Sequence, residues 1–353
     1  MFLALREIRY SKLRYALIIG IMFLIAYVVF MLSGLANGLS EEFKQAIDEW
    51  QAQEIVLAQD ANKSLTASQL TRESMDEVSG EKAPVGLYSG AIKGNDRKNI
   101  TLFGTTKDSF ILPKVISGKT IQAANEIIIS KNLADEGYKV GEKIQIGNYD
   151  QKLTIVGIFK ASYYSTTPVI YTNLDTWTQL KYGDQPFASE VQKPINAIVT
   201  KKETSLKDKT ELEKLTIAEF IENIPGYSAQ NMTLNAMIYF LFVIVAAVIG
   251  IFMYVITLQK TMIFGVMKAQ GIRNMFIARS LIAQSFFVGV IGVGIALGAA
   301  ALTSLILPAA MPFAIDWTLW AIYSLILIGV AMLGGVFSIR TIAKVDPITA
   351  IGG

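Results

Sequence analysis

The sequence predicts an α-helical membrane protein with four transmembrane helices and an extracytoplasmic α+β domain between the first and the second helix. Three observations predict this class: long runs without charge towards both ends of the chain, a polar middle of nearly two hundred residues, and basic flanks beside the runs. A helix needs about 20 apolar residues to cross a bilayer. Because 17% of all residues are charged, the uncharged runs stand out clearly from the rest of the chain.

The uncharged runs define the predicted spans. We place these at residues 15–39, 232–259, 277–307 and 317–339. The third span is longer than a bilayer requires, so it should tilt or protrude. A secretory signal peptide is the alternative for residues 1–38, but the apolar run is too long for a signal core and no clear cleavage pattern ends it.

Basic residues set the predicted orientation. Four of them precede the first span: Arg6, Arg9, Lys12 and Arg14. Four more lie between the apolar runs of the second and third spans: Lys260, Lys268, Arg273 and Arg279. By the positive-inside rule both segments are cytoplasmic. We therefore expect a cytoplasmic amphipathic helix at 1–14, a cytoplasmic helix at 260–276 and a cytoplasmic tail at 340–353. The domain at 40–231 and the loop at 308–316 then lie outside.

The outer segment alternates strand and helix patterns. β-Branched runs bounded by turn residues predict strands in six places: 54–58, 86–94, 99–104, 126–130, 143–159 and 168–173. Helices are expected at 66–78, 131–137 and 205–222. The residues at 147–150, Gly-Asn-Tyr-Asp, favour a hairpin connection. Together these patterns predict an α+β domain.

Several catalytic classes are excluded by composition. The chain has no cysteine and no histidine, so it can form neither a zinc site of the usual kind nor a histidine-based triad. It also lacks the phosphate-binding motif G-x-x-x-x-G-K-[ST]. Adjacent acids such as Glu41 and Glu42 are expected to be solvated surface carboxylates. We therefore expect no enzymatic activity from the chain itself.

A short basic amphipathic segment, QKTMIFGVMKAQG at 259–271, lies between the second and third spans. One side is apolar and the other carries lysine, so a helix here can dock another protein or lie on anionic lipid. We expect the apolar side to consist of Ile263, Phe264, Val266 and Met267.

Two motifs carry a family resemblance. The segment MIFGVMKAQGI and the terminal KVDPITAIGG, together with the outer-domain stretch EIIISKNLADEGYKVGEKIQIGNYDQKLTIVGIF, resemble the FtsX/MacB-type permeases of ABC transporters. The runs GLANGL, YSAQNMTLNAMI, YVITLQK and PAAMPF are similar to those of Gram-positive haem-efflux permeases within that family. The resemblance covers essentially the full chain.

The resemblance implies a homodimer in the membrane, paired with two copies of a separate ATPase that holds the ATP and magnesium. Haem would be the substrate, expelled by a conformational change, and we expect no intrinsic cofactor and no nucleic-acid partner. The residues implied in coupling to the ATPase are Phe264, Gly265, Met267, Lys268 and Gly271. Two alternatives within the same family are an exporter of peptides or antibiotics and an FtsX-like regulator of a cell-wall hydrolase.

A haem site must be built without histidine or cysteine, so its iron contacts would come from Tyr, Met, Glu or Lys. Such residues gather at the outer membrane boundary. We predict that Phe43 stacks on the substrate and that Tyr164 and Tyr227 contact its iron or propionates, with Glu42, Tyr163 and Met232 as further candidates. The alternative is that these aromatics form an ordinary interfacial belt.

Overall fold

The structure, a computed structural model, describes residues 10–94, 97–207, 211–308 and 311–337. It divides into two compact units, which we call the membrane unit, Met1–Gly38 with Asn231–Gly353, and the outer domain, Leu39–Gln230. The terminal KVDPITAIGG, the predicted tail at 340–353 and the arginines Arg6 and Arg9 lie outside the described residues.

The described part of the chain contains eight α-helices: α1 Lys12–Glu49, α2 Lys131–Asp135, α3 Leu174–Tyr182, α4 Ile217–Glu222, α5 Tyr227–Gln259, α6 Thr261–Ala269, α7 Asn274–Ser304 and α8 Trp317–Phe337. Four of them, α1, α5, α7 and α8, are long and apolar enough to cross a membrane. The first differs from the predicted span because it continues without a break to Glu49, so residues 39–49 of α1 belong to the outer domain.

Small residues let the helices of the membrane unit pack closely. A Cβ atom added at Gly292 would lie 2.7 Å from Met22 of α1, and one at Gly289 would lie 3.4 Å from Ile328 of α8. Gly294 and Gly298, which share the same glycine-rich run, have no such neighbour within 4 Å among the residues that the structure describes. Close packing therefore uses two of the four glycines of this run.

The outer domain is built on strands β1 Glu54–Ala58, β2 Leu70–Thr71, β3 Lys82–Ile92, β4 Lys98–Thr105, β5 Val115–Gly118, β6 Glu126–Ser130, β7 Lys143–Ile144, β8 Leu153–Phe159, β9 Tyr163–Tyr164, β10 Thr167–Asn173, β11 Pro194–Ile195, β12 Ala197–Thr200 and β13 Leu212–Thr216. The main sheet has the order β13-β1-β12-β3-β4-β10-β6-β8-β5, with β7 on β8 and β9 on β10. It is mixed, since β4 with β10 and β6 with β8 are parallel. The pair β2 and β11 forms a separate ribbon.

Alternate residues of this sheet enter two hydrophobic cores, one on each face. Ile55 of β1 packs in the core that includes Phe43 and Trp50 at the end of α1. Its neighbour Val56 packs in the core that includes Trp177 of α3. The period of two expected for a strand thus buries both faces, and each face is covered by a helix.

Two predicted helices are wrong. Residues 66–78 contain strand β2 and the 3₁₀ helix Arg72–Glu77, and residues 205–222 contain strand β13 before α4 begins. The second error has a clear reason: β13 pairs with β1, a partner distant in sequence. Thr216 and Glu219 form a capping box that starts α4 only at Ile217. The predicted hairpin at 147–150 is confirmed, because it connects the antiparallel strands β7 and β8.

Candidate functional site

An aromatic pair lies where α1 ends and α5 begins within the outer domain. The rings of Phe43 and Tyr227 meet edge to face, with their centroids 6.0 Å apart. The Ser40 hydroxyl, one turn before Phe43, donates a hydrogen bond of 3.1 Å to the Tyr227 hydroxyl oxygen. Gly226 precedes α5 with φ of +91°, a conformation that favours glycine. Two of the predicted substrate residues are therefore in contact.

The hairpin formed by β9 and β10 docks against the same part of α1. Its two-residue turn, Ser165 and Thr166, has φ of 48° and 64°, as a type I′ turn requires. The turn's N–H groups donate to α1: Ser165 to the Phe43 carbonyl and Thr166 to the Glu42 carbonyl, both at 3.0 Å. These two bonds hold a β-branched residue in a left-handed conformation that it rarely adopts. The hairpin thus fixes the neighbourhood of the aromatic pair.

The two tyrosines of β9 differ sharply in their exposure. Tyr164 is only 5% exposed and packs edge to face against Phe103 with a centroid distance of 5.4 Å. Burial raises the pKa of its phenol. Since a tyrosine loses its proton when it ligates iron, this environment opposes the predicted role of Tyr164. Tyr163, on the opposite side of the strand, is partly exposed and is the more accessible of the two.

Glu42 and Met232 complete the predicted set. Glu42 is half-buried beside Phe43 on α1, and Met232 is an exposed residue in the second turn of α5. The contact of Ser40 with Tyr227 was not predicted. A signal for it existed, because Ser40 and Phe43 are three residues apart and so share a helix face, but nothing in the sequence pairs that face with Tyr227.

The short helix α6 turns a different face outward from the one expected. Phe264 and Gly265 are buried, and Phe264 packs in the hydrophobic core of the membrane unit. The exposed apolar side consists instead of Met262, Ile263 and Val266. Phe264 and Gly265 therefore position the helix, and the exposed side is free to meet a partner or a membrane surface.

Gly271 has a structural role at the end of α6. Its φ is +83°, its N–H donates to the Lys268 carbonyl at 2.9 Å, and the N–H of Ile272 donates to the Met267 carbonyl at 3.0 Å. These two bonds form a Schellman motif, in which glycine is favoured because of its left-handed backbone. Met267 and Lys268, both predicted coupling residues, are partly exposed.

Comparisons with known proteins define the class. Residues 16–213 match the model of the MacB-like periplasmic core domain, and residues 235–347 match that of the FtsX-like permease C-terminal domain. The chain belongs to the FtsX/MacB-type family of ABC transporter permeases. It is a multi-pass membrane protein with a large domain outside, and it belongs to the permease subunits of such transporters.

Two relatives are similar over nearly their whole length. Both are provisionally named as the hemin transport system permease protein HrtB. The protein of Staphylococcus haemolyticus is 30% identical over 355 residues, and that of Staphylococcus epidermidis strain RP62A is 32% identical over 360 residues; in each case 99% of both chains is covered. A crystal structure of the extracellular domain of the ABC-type transporter YknZ aligns with 45% of this chain and 84% of its own, at 15% identity and a TM-score of 0.31, too slight a likeness to support an argument.

Proposed function

We propose that this chain is the permease subunit of an ABC-type haem exporter. It would act as a homodimer with two copies of a separate HrtA-like ATPase, which supplies the ATP and magnesium chemistry, and would extrude haem from the membrane. The observation that carries the proposal is the full-length similarity to two proteins named HrtB, at 30% and 32% identity. An ATPase partner is implied by membership of the ABC permease family.

The aromatic pair suits the substrate chemically. Haem is a flat apolar disc with two propionates, and an aromatic ring such as that of Phe43 offers it a stacking surface. The Tyr227 oxygen accepts the Ser40 bond, so its own O–H remains available to donate to a propionate. The carboxylate of Glu42, the phenol of Tyr163 and the thioether of Met232 are each chemically able to ligate iron, and we keep them as further candidates. We assign Tyr164 to the core that supports this surface.

Haem titration of the purified protein in lipid nanodiscs tests the site. Phe43→Ala removes the stacking surface and Tyr227→Phe removes only the hydroxyl. An aromatic contact is worth about 0.5–1.5 kcal/mol beyond its buried area, so the double variant should bind haem about tenfold more weakly or worse. Tyr138→Phe, a partly exposed tyrosine of the outer domain, is the matched control. Parental haem affinity and haem resistance of cells carrying the double variant would refute the site.

Coupling would run from α6 through α5 and α1. The exposed side of α6 offers an apolar docking surface, and α1 is one uninterrupted helix that belongs to the membrane unit and, beyond Gly38, to the outer domain. A push on α6 would reach the outer domain along α5, which ends one residue before α6 and begins at Tyr227 within the outer domain. It would also reach α1, because Phe264 packs in the same core as Tyr15. Helices propagate such displacements as rigid elements.

Co-purification with the partner ATPase tests this coupling. Ile263→Asp and Val266→Asp place charges on the exposed side of α6 and should abolish both ATPase binding and haem-stimulated ATP hydrolysis. Phe264→Leu, a conservative change on the buried side, should leave both intact. The permease alone should hydrolyse no ATP, since it lacks a phosphate-binding loop. Robust hydrolysis by the isolated chain would overturn the assignment.

A further inference from the structure

A polar cavity opens in the outer domain, formed by residues other than those of the aromatic pair. It has a volume of about 500 Å³ and lies between the loop that joins β7 to β8 and the C-terminal end of α3. Its walls include Tyr88, Tyr149, Gln179, Lys181 and Asp184. Pockets for small ligands in proteins typically measure about 300–1,000 Å³. The cavity is therefore large enough for a sugar-sized ligand.

One wall of the cavity is fixed by a glycine. Gly147 has φ of +57°, and a Cβ atom added there would lie 2.1 Å from the Tyr88 hydroxyl. Its N–H donates to the Ala91 carbonyl of β3 at 2.9 Å, which anchors the loop on the sheet. A side chain at this position would push Tyr88 away. Glycine at position 147 therefore allows the loop and the Tyr88 side chain to lie in close contact.

Side-chain amides hold the opposite wall. The Tyr149 hydroxyl lies 3.0 Å from oxygens of both Asn125 and Gln179 and 3.3 Å from one of Gln151. A phenol has one hydrogen to donate, so the Tyr149 O–H is shared among these three acceptor oxygens. Asn125 also donates to Gln151 at 2.6 Å. This network orders Tyr149 and leaves further amide donors and acceptors for a ligand.

Lys181 brings an unused donor to the cavity. Two of its three N–H groups donate to the Leu87 carbonyl at 3.1 Å and to the Asn196 side-chain oxygen at 3.2 Å. It forms no ion pair with any residue in the described ranges, and its ammonium lies 5.1 Å from the centre of the Trp177 ring. Burial lowers the pKa of Lys181 to about 8. A half-buried amine without an acidic partner is a group that a ligand can satisfy.

The charge and the mixture of polar groups define the ligand class. The exposed carboxylates Asp150 and Asp184 at the cavity outweigh the single positive charge of Lys181, which disfavours an anion. Carboxylates accept from hydroxyl groups, amides both donate and accept, and tyrosine rings offer flat apolar surface. An uncharged polyhydroxyl ring uses all of these at once. Because the outer domain lies outside the cell, such rings surround it in envelope glycans.

We propose that this cavity binds an uncharged saccharide unit of the glycans outside the cell. The binding is separate from haem export and would anchor or orient the outer domain at the envelope.

Saturation-transfer NMR and calorimetry on the full chain in lipid nanodiscs test the proposal. The probe is the uncharged tetramer of N-acetylglucosamine, with maltotetraose as a second saccharide and the zwitterion tetra-alanine as a peptide comparison. We expect saturable binding of a saccharide. Tyr149→Phe should weaken it about threefold or more, and Asp184→Asn and Lys181→Met about tenfold, as expected for lost neutral and charged hydrogen bonds.

Lys107→Met and Asp108→Asn are the matched controls, since both residues are exposed in the outer domain and do not line the cavity. They should bind the saccharide like the parent. Asp184 is exposed, so its variant keeps the test valid if Lys181→Met fails to fold. The proposal is overturned by absence of saturable saccharide binding, by parental binding in Asp184→Asn, or by preferential binding of tetra-alanine. Haem titration of the same variants reports independently on the proposed export function.

Discussion

The membrane unit and the outer domain differ in where many of their polar side chains find partners. In the membrane unit, several hydroxyls donate to the carbonyl four residues earlier on their own helix, as Thr257, Ser285 and Thr303 do. In the outer domain, polar side chains reach across the sequence: Asn196 donates to the Ser68 carbonyl at 2.8 Å, and the Glu54 carboxylate accepts from the Thr204 N–H at 2.7 Å. Lipid offers no hydrogen bonds, so local satisfaction is favoured there.

The two units are therefore stabilised by different interactions. Burial of apolar surface from water drives the outer domain, whose cores cover both faces of a sheet. Within lipid that driving force is absent, and helices associate by close packing of small residues and by occasional polar bonds. The bond of 2.6 Å from the Tyr15 hydroxyl to Gln284 is an example that joins α1 to α7.

Two buried tryptophans give the strongest test of this contrast. Trp177 of the outer domain and Trp320 of the membrane unit are both 0% exposed. Trp177→Ala should destabilise the outer domain by about 3–5 kcal/mol, because it loses transfer free energy and leaves a cavity. Trp320→Ala should destabilise the membrane unit by less, since in lipid the substitution removes only packing contacts.

Proteolysis of the full chain in increasing urea measures the stability of the outer domain, and unfolding in increasing dodecyl sulfate measures that of the membrane unit. Phe187→Ala, a partly exposed aromatic in the outer domain, serves as a control with a small expected effect. If Trp320→Ala lowers the free energy of unfolding as much as Trp177→Ala does, or more, the two units do not differ in the interactions that stabilise them.

Two glycines of α8, Gly334 and Gly329, test whether close helix packing stabilises the membrane unit. A Cβ atom at Gly334 would lie 2.9 Å from the Ala246 carbonyl oxygen and from the Gly250 nitrogen, both backbone atoms of α5. Gly334→Leu should therefore separate α5 from α8 and cost about 1–3 kcal/mol. Gly329 is on the same helix and a Cβ atom there has no neighbour within 4 Å in the described part of the chain, so Gly329→Leu gains the same helix propensity without the clash.

Unfolding in dodecyl sulfate measures both variants. We expect Gly334→Leu to lower the midpoint and Gly329→Leu to leave it unchanged or raise it slightly. Equal midpoints would mean that close approach of α5 and α8 does not stabilise the membrane unit.

The last prediction is a pH dependence confined to the outer domain. Burial lowers the pKa of Lys181 from 10.5 to about 8 in the folded state. Between these values the unfolded chain binds more protons than the folded chain, so this lysine makes stability rise with pH from about 8 to about 10.5. Lys193 works in the opposite direction at higher pH, because its bond with Glu190 raises its pKa.

Proteolytic stability measured from pH 7 to 10.5 should show this rise in the parent and lose it in Lys181→Met. Lys107→Met, an exposed lysine, should keep the parental profile. If Lys181→Met follows the parent throughout, the amine is solvated in the folded protein.

The candidate site shows where prediction from sequence succeeds and where it ends. Phe43 and Tyr227 were both assigned to a site at the outer membrane boundary because each borders a membrane span, and the structure brings their rings into contact. Whether Tyr163 or Tyr164 turns outward depends on the register of β9 against β10, which a single residue would reverse. The outward side of α6 likewise depends on Phe264 finding a place in the core, a choice among several apolar residues of similar pattern.

The four spanning helices were predictable from the sequence alone, because runs of apolar residues act locally. The helix predicted at 260–276 is wrong in its extent, since α6 ends at Ala269 and α7 begins at Asn274, with Gly271 in a left-handed turn between them. Tertiary structure decided the rest. Strand β13 exists because β1 offers it a partner. Among the described residues Lys181 forms no ion pair, because the fold places the Leu87 carbonyl and the Asn196 side chain beside its amine. Pairing of this kind joins residues far apart in the chain, and no local pattern records it.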